Sequence, residues 1–353
     1  MPGPDPTLAM RRALALAGDS GVWKGANPAV GCVLLGEDGQ FIAEGFHRGP
    51  GTAHAEAAAL ASLVAAGGSP AGATAVVTLE PCAHQGRTPP CADALVEAGI
   101  ARVIFGQADP NPAAAGGADR LRAAGVEVTG GVLAAEAAAL NRVWTESMSM
   151  GRPVVTWKVA ASLDGRIAAA DGSSQWITGQ AARQQVHELR SQVDAVLTGT
   201  GTLRADDPQL TARPAGGWPT TEQPLRVVMG LSEVPSAAAF RAPPDGRSQV
   251  LNTRDPDQAL AALMAVGVRH VLLECGPRLA SAFLRADLVD RVVWFAAPIL
   301  LGGSALAVID DVGVGTLTDA RRWQLRELRE VGSDVRMDFS RAGVAPGGRL
   351  EVG

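Results

Sequence analysis

Short apolar runs alternate with helix-forming stretches along almost the whole chain, and this alternation constrains the fold more than any other feature. PAVGCVLLG (28–36), ATAVVTL (73–79) and ARVIFG (101–106) have the length and composition of buried strands. Helix-forming stretches such as HAEAAALASLVAA (54–66) and CADALVEAG (91–99) lie between them. Strands that are separated by helices predict a layered α/β fold.

A break at MGRP (150–153) separates two halves, because the strand–helix pattern starts again after it. The last segment of the first half, LAAEAAALNRVWTESM (133–148), is predicted to be a single helix. A chain of 353 residues is long enough for two domains that each bury a core. We therefore predict one domain over residues 1–148, a second over 151–342 and a frayed tail over 343–353.

Composition argues against several classes of function. The net charge of −5 and the lack of tyrosine disfavour nucleic-acid binding. The N terminus does not read as a signal peptide, and no apolar run approaches the ~20 residues of a membrane span. We expect a cytoplasmic protein that binds neither nucleic acid nor membranes. We also expect a homo-oligomer, with apolar positions on the second-half strands forming the seam.

Because four cysteines are too few for a disulfide framework, we expect them to be metal ligands or core residues.

Metal-binding residue types stand at three element boundaries in the first half. His54 opens a helix, Cys82 follows the strand that ends at Leu79, and Cys91 begins the next helix. One imidazole and two thiolates form a three-ligand set for Zn²⁺ that leaves a fourth position for water. Glu56 points to another side of its helix than His54 and can shuttle the protons of that water. H-x-E followed by P-C and a second Cys is typical of zinc nucleobase deaminases, in which the Glu is the acid/base.

Other interpretations of these residues stay open at this point. His54 can be a helix cap and the cysteines core residues, or the zinc can be structural, with Cys32 as a fourth ligand. The spacing is also unusual, because eight residues, AHQGRTPP, separate the two cysteines where the general deaminase pattern has two. This insertion carries His84 and Arg87, which suit a substrate group beyond the base, such as a phosphate.

Three longer stretches carry a resemblance to a known family. NPAVGCVLL (27–35), GFHRGPGTAHAEAAAL (45–60) and TLEPCAHQGRTPPCADAL (78–95) resemble the deaminase half of the bacterial bifunctional riboflavin-biosynthesis deaminase–reductases. The resemblance continues through DPNP (109–112) into the second half. It implies a cytidine-deaminase-like α/β/α layered domain that converts a ring C–NH₂ of a diaminopyrimidinone ribotide phosphate to C=O.

The same resemblance implies roles for individual residues of the first half. Zinc is expected on His54, Cys82 and Cys91, and proton transfer is expected from Glu56. Substrate contacts are implied for four residues: Asn27, His47, His84 and Arg87. Their amide, imidazole and guanidinium groups suit a ring edge, a ribose and a phosphate.

Glycine-rich turns in the second half predict phosphate binding without a dinucleotide fingerprint. VLTGTGTLRADDPQLTAR (196–213) is predicted to be a strand followed by a Gly/Thr loop. The G-x-G-x-x-G pattern fails there, because Arg204 stands where its third glycine belongs. In LLECGPRLASAFL (272–284) a strand ends at Glu274 and a helix starts after Gly276–Pro277, a turn that suits an approaching pyrophosphate. We predict a nucleotide- or phosphate-binding α/β domain that is not a Rossmann domain.

The second half resembles the reductase domain of the same family, through WKVAASLDGRIA (157–168), SSQWITG (173–179) and LVDRVVWFAAPILLGG (288–303). This implies a dihydrofolate-reductase-like α/β fold that uses NADPH to reduce a ribosyl group to ribityl. The implied cofactor contacts are Ala160, Trp176, Thr202, Asp206, Gly276 and Pro277. The implied substrate contacts are Ser174, Arg190, Leu210, Arg213 and Glu274, with Arg190 and Arg213 on the phosphate.

Proton delivery in the reductase half has three candidates, Lys158, Asp206 and Glu274, whose alternative roles are salt bridging and helix capping. Cys275 departs from the small Gly or Ala that is usual at its position in the family, with little effect expected.

Two other functions remain as alternatives. A deaminase of free bases, nucleosides or tRNA with an unrelated C-terminal nucleotide-binding domain would share the zinc motif, but the long loop between the cysteines argues against it. A zinc-stabilised regulator would have no use for Glu56 as a proton shuttle. We therefore predict an enzyme that deaminates and then reduces phosphorylated pyrimidine substrates.

Overall fold

A computed structural model describes residues 5–19, 25–49, 51–84, 89–213, 223–242 and 245–341. The chain divides into two compact units, Met1–Gly151 and Arg152–Gly353. The expected tail over 343–353 lies outside the described residues. No helix within those residues is long and apolar enough to span a membrane.

The first unit is built on a five-stranded sheet in the order β2-β1-β3-β4-β5. Its strands are β1 (Gly31–Leu35), β2 (Phe41–Phe46), β3 (Thr74–Leu79), β4 (Arg102–Gln107) and β5 (Glu127–Gly130). β1 runs antiparallel to β2 and β3, whereas β3, β4 and β5 are parallel. The carboxyl ends of β3 and β4 therefore meet at one edge of the sheet.

Helices cover both faces of this sheet. They are α1 (Pro6–Asp19), α2 (Ala55–Ala65), α3 (Cys91–Glu97), α4 (Gly117–Ala123), α5 (Ala134–Leu140) and α6 (Arg142–Met150). Successive residues of a strand point to opposite faces, so Val76 packs with Met10 of α1 while Val77 packs with Leu63 of α2 and Leu95 of α3. This arrangement confirms the predicted α/β/α layers.

One prediction for this unit is wrong, because the single helix predicted over 133–148 is two helices. In addition, β2 (FIAEGF) was not among the predicted strands. Between these helices the Asn141 side chain accepts from the Ala29 N–H and donates to the Ala29 carbonyl, both at 2.8 Å. The chain breaks there because Asn141 ties it to the segment that leads into β1.

The second unit contains an eight-stranded sheet in the order β10-β9-β8-β11-β6-β12-β15-β14. These strands are β6 (Val154–Ser162), β8 (Ala195–Gly199), β9 (Leu225–Met229), β10 (Ser248–Leu251), β11 (His270–Leu273), β12 (Arg291–Ala297), β14 (Trp323–Val331) and β15 (Asp334–Arg341). The six strands from β10 to β12 are parallel, and the β14–β15 hairpin adds two antiparallel strands. A separate pair joins β7 (Arg166–Ala168) to β13 (Leu306–Ala307).

Helices cover both faces of the parallel strands, which confirms the predicted dihydrofolate-reductase-like α/β class. They are α7 (Gln180–Ser191), α8 (Thr200–Asp206), α9 (Pro256–Ala265) and α10 (Pro277–Arg285). Leu260 of α9 and Phe283 of α10 pack on one face, while Leu189 of α7 and Leu203 of α8 pack on the other. The Gly/Thr loop predicted after β8 is wrong, because this segment is helix α8.

Candidate active sites

A cluster of one histidine and two cysteines lies at the carboxyl end of β3. His54 is the N-cap residue of α2, Cys82 stands three residues after β3, and Cys91 is the first residue of α3. Gly117 lets α4 approach this loop, because a Cβ at Gly117 would lie 1.7 Å from the Pro81 carbonyl oxygen. The fold thus brings together three residues that are far apart in sequence.

The geometry of the cluster fits a tetrahedral zinc ion. His54 Nδ1 lies 3.2 Å from Cys91 Sγ and 3.7 Å from Cys82 Sγ, and the three ligand atoms all lie within 4.8 Å of one another. Zinc–nitrogen and zinc–sulfur bond lengths place such ligand atoms about 3.5–3.8 Å apart. The donor set, one imidazole and two buried thiols, is also the one that zinc prefers.

Local electrostatics favour a thiolate at this cluster. A hydrogen bond from the Cys91 thiol lowers the pKa of Cys82 to about 4, with further support from His54 and the Cys91 N–H. The Cys91 backbone N–H donates to Cys82 Sγ at 3.4 Å. Cys32, the candidate for a fourth ligand, is fully buried in β1 and does not belong to the ligand cluster found among the described residues.

Glu56 lies beside the cluster without belonging to it. Its side chain sits in the first turn of α2 and is 4% exposed. Burial raises the pKa of Glu56, while the charge of His54 and a hydrogen bond with Cys91 act in the opposite direction and lower it. A buried carboxyl next to the zinc ligands is placed to exchange protons with a molecule bound there.

Asn27 and His47 form a pair next to the cluster. The His47 Nδ1–H donates to the Ala53 carbonyl at 3.1 Å, which leaves Nε2 to accept from the Asn27 amide at 2.8 Å. The His47 and His54 rings meet edge to face with centroids 5.5 Å apart. The pair therefore borders the zinc ligands, as expected for substrate contacts.

The segment between the two cysteines is described only in part. His84 is exposed, and Arg87 lies outside the described residues. Glu80 holds the neighbouring loop by accepting from the N–H groups of Asp109 (3.2 Å) and Ala118 (3.0 Å). Sequence reasoning did not single out Glu80, although its position directly after β3 was a usable signal.

Three charged side chains form a largely buried ion-pair network, in which Glu274 directly follows β11 and Lys158 stands in the middle of β6. Arg190 binds Glu274 with both branches, Nε to Oε1 at 2.6 Å and Nη2 to Oε2 at 3.0 Å. Lys158 Nζ lies 3.2 Å from Glu274 Oε2. Burial opposes ionisation of Glu274, but Arg190 and Lys158 outweigh it and lower its pKa to about 2. Glu274 is therefore a carboxylate at neutral pH.

Two further residues with predicted roles, Asp206 and Ala160, are related to Lys158 of this network. Burial raises the pKa of Asp206, at the end of α8, while the charge of Lys158 opposes the shift. Ala160 stands two residues after Lys158 on β6, so both side chains point to the same face of the sheet. Asp206 is thus near enough to Lys158 for their charges to interact, and Ala160 lies on the same face of β6 as Lys158.

The two glycine-containing turns of this unit meet each other. Thr202 Oγ1 in α8 accepts from the Gly276 N–H at 3.2 Å, directly before Pro277 opens α10. A helix N-terminus presents free N–H groups to an anion, and proline at the first position fits because it lacks one. Thr202, Gly276 and Pro277 are thus close together, and the pyrophosphate contact expected at the Gly276–Pro277 turn stays a prediction.

Leu210, Thr211 and Arg213 lie opposite α7. Leu210 is buried and has a left-handed backbone with φ of 56°. Arg213 Nε donates to Thr211 Oγ1 at 3.1 Å, and the Thr211 carbonyl accepts from Arg190 Nη1 at 3.1 Å. This segment therefore brings Arg213 close to Arg190, the other predicted phosphate ligand.

Trp176 and Ser174 belong to the loop before α7. Trp176 is 67% exposed, and the guanidinium carbon of Arg183 lies 4.4 Å from its ring centroid. Ser174 is partly buried. Within the described part of the chain neither residue contacts the ion-pair network, so their predicted roles rest on the resemblance.

Comparison with known proteins agrees with this two-site geometry. Residues 5–107 match the cytidine and deoxycytidylate deaminase zinc-binding region, and residues 153–337 match the RibD C-terminal domain. The chain is 49% identical to the riboflavin biosynthesis protein RibD of Mycobacterium tuberculosis, with 87% of this chain and 89% of the relative covered. The chain belongs to the RibD family.

Solved structures of RibD proteins share the whole fold. The RibD of Acinetobacter baumannii is 38% identical and superposes with a TM-score of 0.81, covering 96% of this chain and 99% of that one. A Thermotoga maritima protein described as a diaminohydroxyphosphoribosylaminopyrimidine deaminase/5-amino-6-(5-phosphoribosylamino)uracil reductase is 32% identical, with a TM-score of 0.77 and coverages of 96% and 99%.

Membership in the RibD family confirms the overall function that the sequence predicted. The chain is a bifunctional deaminase and reductase of riboflavin biosynthesis, with Zn²⁺ and NADPH as its cofactors. The roles of individual residues in each site remain predictions.

Proposed function

We propose that the first unit of this RibD-family protein deaminates 2,5-diamino-6-ribosylamino-4(3H)-pyrimidinone 5′-phosphate on a zinc held by His54, Cys82 and Cys91. The observation that carries this proposal is the three-ligand cluster with a buried carboxyl, Glu56, beside it. When bound, zinc activates a water molecule for attack on the ring carbon that carries the amino group.

Glu56 moves the protons of this reaction. It transfers the protons of the attacking water, one to the ring nitrogen and one to the departing amino group, so that the products are the ring carbonyl and ammonia. Asn27 and His47 orient the ring edge, because the amide bound to His47 keeps its oxygen for a substrate N–H. We assign His84 and Arg87 to the ribose phosphate.

The second unit reduces the ribosyl group of the deaminated product, 5-amino-6-(5-phosphoribosylamino)uracil, to ribityl. When bound, NADPH would supply a hydride to the first ribose carbon, whose bond to the ring oxygen breaks. Because Glu274 is ionised at neutral pH, it carries no proton for the released ring oxygen. We assign proton delivery to Lys158, with Glu274 holding its ammonium group at 3.2 Å.

We assign the remaining contacts as the resemblance to the family implies. Arg190 and Arg213 bind the substrate phosphate, Ser174 and Leu210 border the substrate, and Glu274 also contacts it. The cofactor lies against Ala160, Trp176, Thr202, Asp206, Gly276 and Pro277. We further propose a cytoplasmic homo-oligomer that binds neither nucleic acid nor membranes, in keeping with its small-molecule substrates.

A single assay with two readouts tests both activities. The diaminopyrimidinone ribotide is mixed with NADPH, and ammonia release and NADPH oxidation are followed separately. We expect ammonia first and NADPH oxidation after a lag. Zinc-loaded protein that releases no ammonia would overturn the deaminase assignment, and ammonia without NADPH oxidation would overturn the reductase assignment. Cytidine serves as the control substrate and should release no ammonia.

A further inference from the structure

Three basic side chains converge on Thr211. Its carbonyl oxygen accepts from His187 Nδ1 at 2.9 Å and from Arg190 Nη1 at 3.1 Å. Its hydroxyl oxygen accepts from Arg213 Nε at 3.1 Å. One residue thus fixes the positions of an imidazole and two guanidinium groups.

The segment around Thr211 is held from outside this cluster as well. The Gln223 side chain bonds both the N–H and the carbonyl of Ala212, each at 2.9 Å. Gln184 Nε2 donates to the Arg213 carbonyl at 3.3 Å. Because the backbone is fixed on both sides, the three basic groups are positioned before a ligand arrives.

The charge of Arg190 is largely committed within the protein. Arg190 binds Glu274 with two nitrogens, and Lys158 contacts the same carboxylate. Two cations and one carboxylate leave one net positive charge, which Arg213 raises to two. A sugar phosphate carries close to two negative charges above its second pKa of about 6, and a partly buried anion needs hydrogen-bond donors as well as charge.

His187 supplies a further donor at the right place. Since its Nδ1–H donates to Thr211, Nε2 is the free nitrogen, and no hydrogen bond to Nε2 is recorded among the described residues. Burial lowers the pKa of His187, and the charges of Arg190 and Arg213 lower it further, against the Thr211 carbonyl and Glu274. The ring is therefore neutral at pH 7 before an anion binds.

We propose that His187 is a third phosphate-binding residue of the reductase site and gains a proton from solvent when the phosphate dianion binds. The imidazolium then donates from Nδ1 to Thr211 and from Nε2 to a phosphate oxygen. This proposal rests on the proposed reductase function and makes substrate affinity depend on pH.

The charged groups that face His187 keep their charge above pH 7. Arg190 on α7 and Arg213 on the facing segment are always protonated. Glu274 after β11 is ionised, with a pKa of about 2. The phosphate itself is already a dianion in this range. Proton uptake by His187 therefore weakens substrate binding as the pH rises from 7 to 9.

Steady-state kinetics of NADPH oxidation with the deaminated substrate test this dependence. We expect the wild-type KM to rise about tenfold between pH 7 and 9. A factor of ten in substrate affinity corresponds to a proton linkage of about one pKa unit. His187→Gln should show a raised KM already at pH 7 and no further rise, with kcat changed less than KM. Glu188→Gln, the neighbouring position on α7, is the control and should keep the wild-type slope. A His187→Gln variant with the wild-type KM slope would overturn the proposal.

Nitrogen NMR of the wild-type imidazoles gives a second, independent readout. Ribose 5-phosphate is titrated into the enzyme at pH 7.5, and the His187 signal is identified among the five histidines by its loss in His187→Gln. We expect its two ring nitrogens to move to the imidazolium pattern. A ring that stays neutral at saturation would overturn the proposal. Wild-type enzyme that does not oxidise NADPH would instead refute the underlying reductase function.

Discussion

The side-chain amide of Asn27 lies 2.8 Å from Nε2 of His47, whose other ring nitrogen bonds the Ala53 carbonyl. His47 therefore acts on Asn27 as a fixed acceptor that sets the direction of the amide. Among the described residues the amide oxygen has no hydrogen-bond donor, and we assign it to a substrate N–H. The two residues form one unit, since the loss of either partner leaves the amide undirected.

We expect His47→Ala and Asn27→Ala each to lower kcat/KM for ammonia release about 10- to 100-fold. This corresponds to a loss of about 1.4–2.7 kcal/mol of transition-state stabilisation, because the substrate ring is no longer oriented. Because the residues act together, the double variant should be little worse than either single one. Zinc content and the reductase rate with deaminated substrate are the controls and should not change. Fully additive effects would show that the two side chains act separately.

Removing one zinc ligand tests the metal cluster directly. Cys82→Ser is expected to lose most of the metal from a site that otherwise holds about one zinc per chain, because a serine hydroxyl is a poor zinc ligand. Metal analysis after dialysis measures the loss. Cys275→Ser, a partly buried cysteine of the second unit, is the matched control and should keep its zinc. Full zinc in Cys82→Ser would contradict the assignment.

Glu56→Gln separates metal binding from proton transfer. Glutamine keeps the size of the side chain but cannot take up a proton, so we expect zinc to stay and ammonia release to fall about 10²- to 10⁴-fold. Ammonia release is compared at equal zinc occupancy. An active variant would remove Glu56 from the proton path.

The fold could be predicted where a strand is apolar along its length. GCVLL and TAVVTL read as buried strands, and both lie inside the first sheet. FIAEGF and WQLRELREV do not read as buried strands. Both lie at a sheet edge, where many side chains face solvent and the sequence contains fewer apolar residues. The helix break at Asn141 depends on a partner 112 residues away and has no local signature.

The residues of the candidate sites also differ in whether the sequence alone reveals them. His54, Cys82 and Cys91 could be found from sequence because each residue type has a chemical meaning at an element boundary. His187 could not, since its significance depends on Arg190, Arg213 and the Thr211 carbonyl meeting in space. Arg87 was predicted from sequence and lies outside the described residues, so its role stays a prediction.

The ion pairs of Glu274 also determine stability at low pH. Its pKa falls from 4.5 to about 2 on folding, so the ionised form stabilises the fold above pH 4.5 and this contribution is lost between about pH 4.5 and 2. The shift corresponds to about 3 kcal/mol. Urea unfolding at pH 7 and pH 3 should show a larger loss of stability in wild type than in Glu274→Gln, which keeps the other carboxylates of lowered pKa, such as Asp245.

At pH 7, Glu274→Gln should itself lower the free energy of unfolding by about 3 kcal/mol, because Lys158 and Arg190 lose their buried counter-charge. Glu327→Gln on β14 removes a carboxylate that lies 3.8 Å from Arg329 near the surface. It is the control, and we expect a change below about 1 kcal/mol. Equal effects of the two substitutions would contradict a structural role for the buried network.

Arg183 fixes the exposed ring of Trp176. Its guanidinium carbon lies 4.4 Å from the ring centroid, and its Nη1 donates to the Thr178 carbonyl at 2.7 Å. One face of the ring is therefore covered by Arg183, and the other face is the one that we assign to the cofactor. A stacked cation at an exposed site stabilises the ring position by about 0.5–1 kcal/mol.

We expect Arg183→Gln to raise the KM for NADPH about two- to fivefold, the fold-change that this stacking energy allows. The KM for the deaminated substrate should change less, because Trp176 is assigned to the cofactor. Arg285→Gln on α10 is the control, because it removes an exposed arginine that donates to the Asp311 carbonyl. It should keep both KM values. If Arg183→Gln raised both KM values equally, Arg183 would support the whole loop before α7 and not the cofactor face of Trp176.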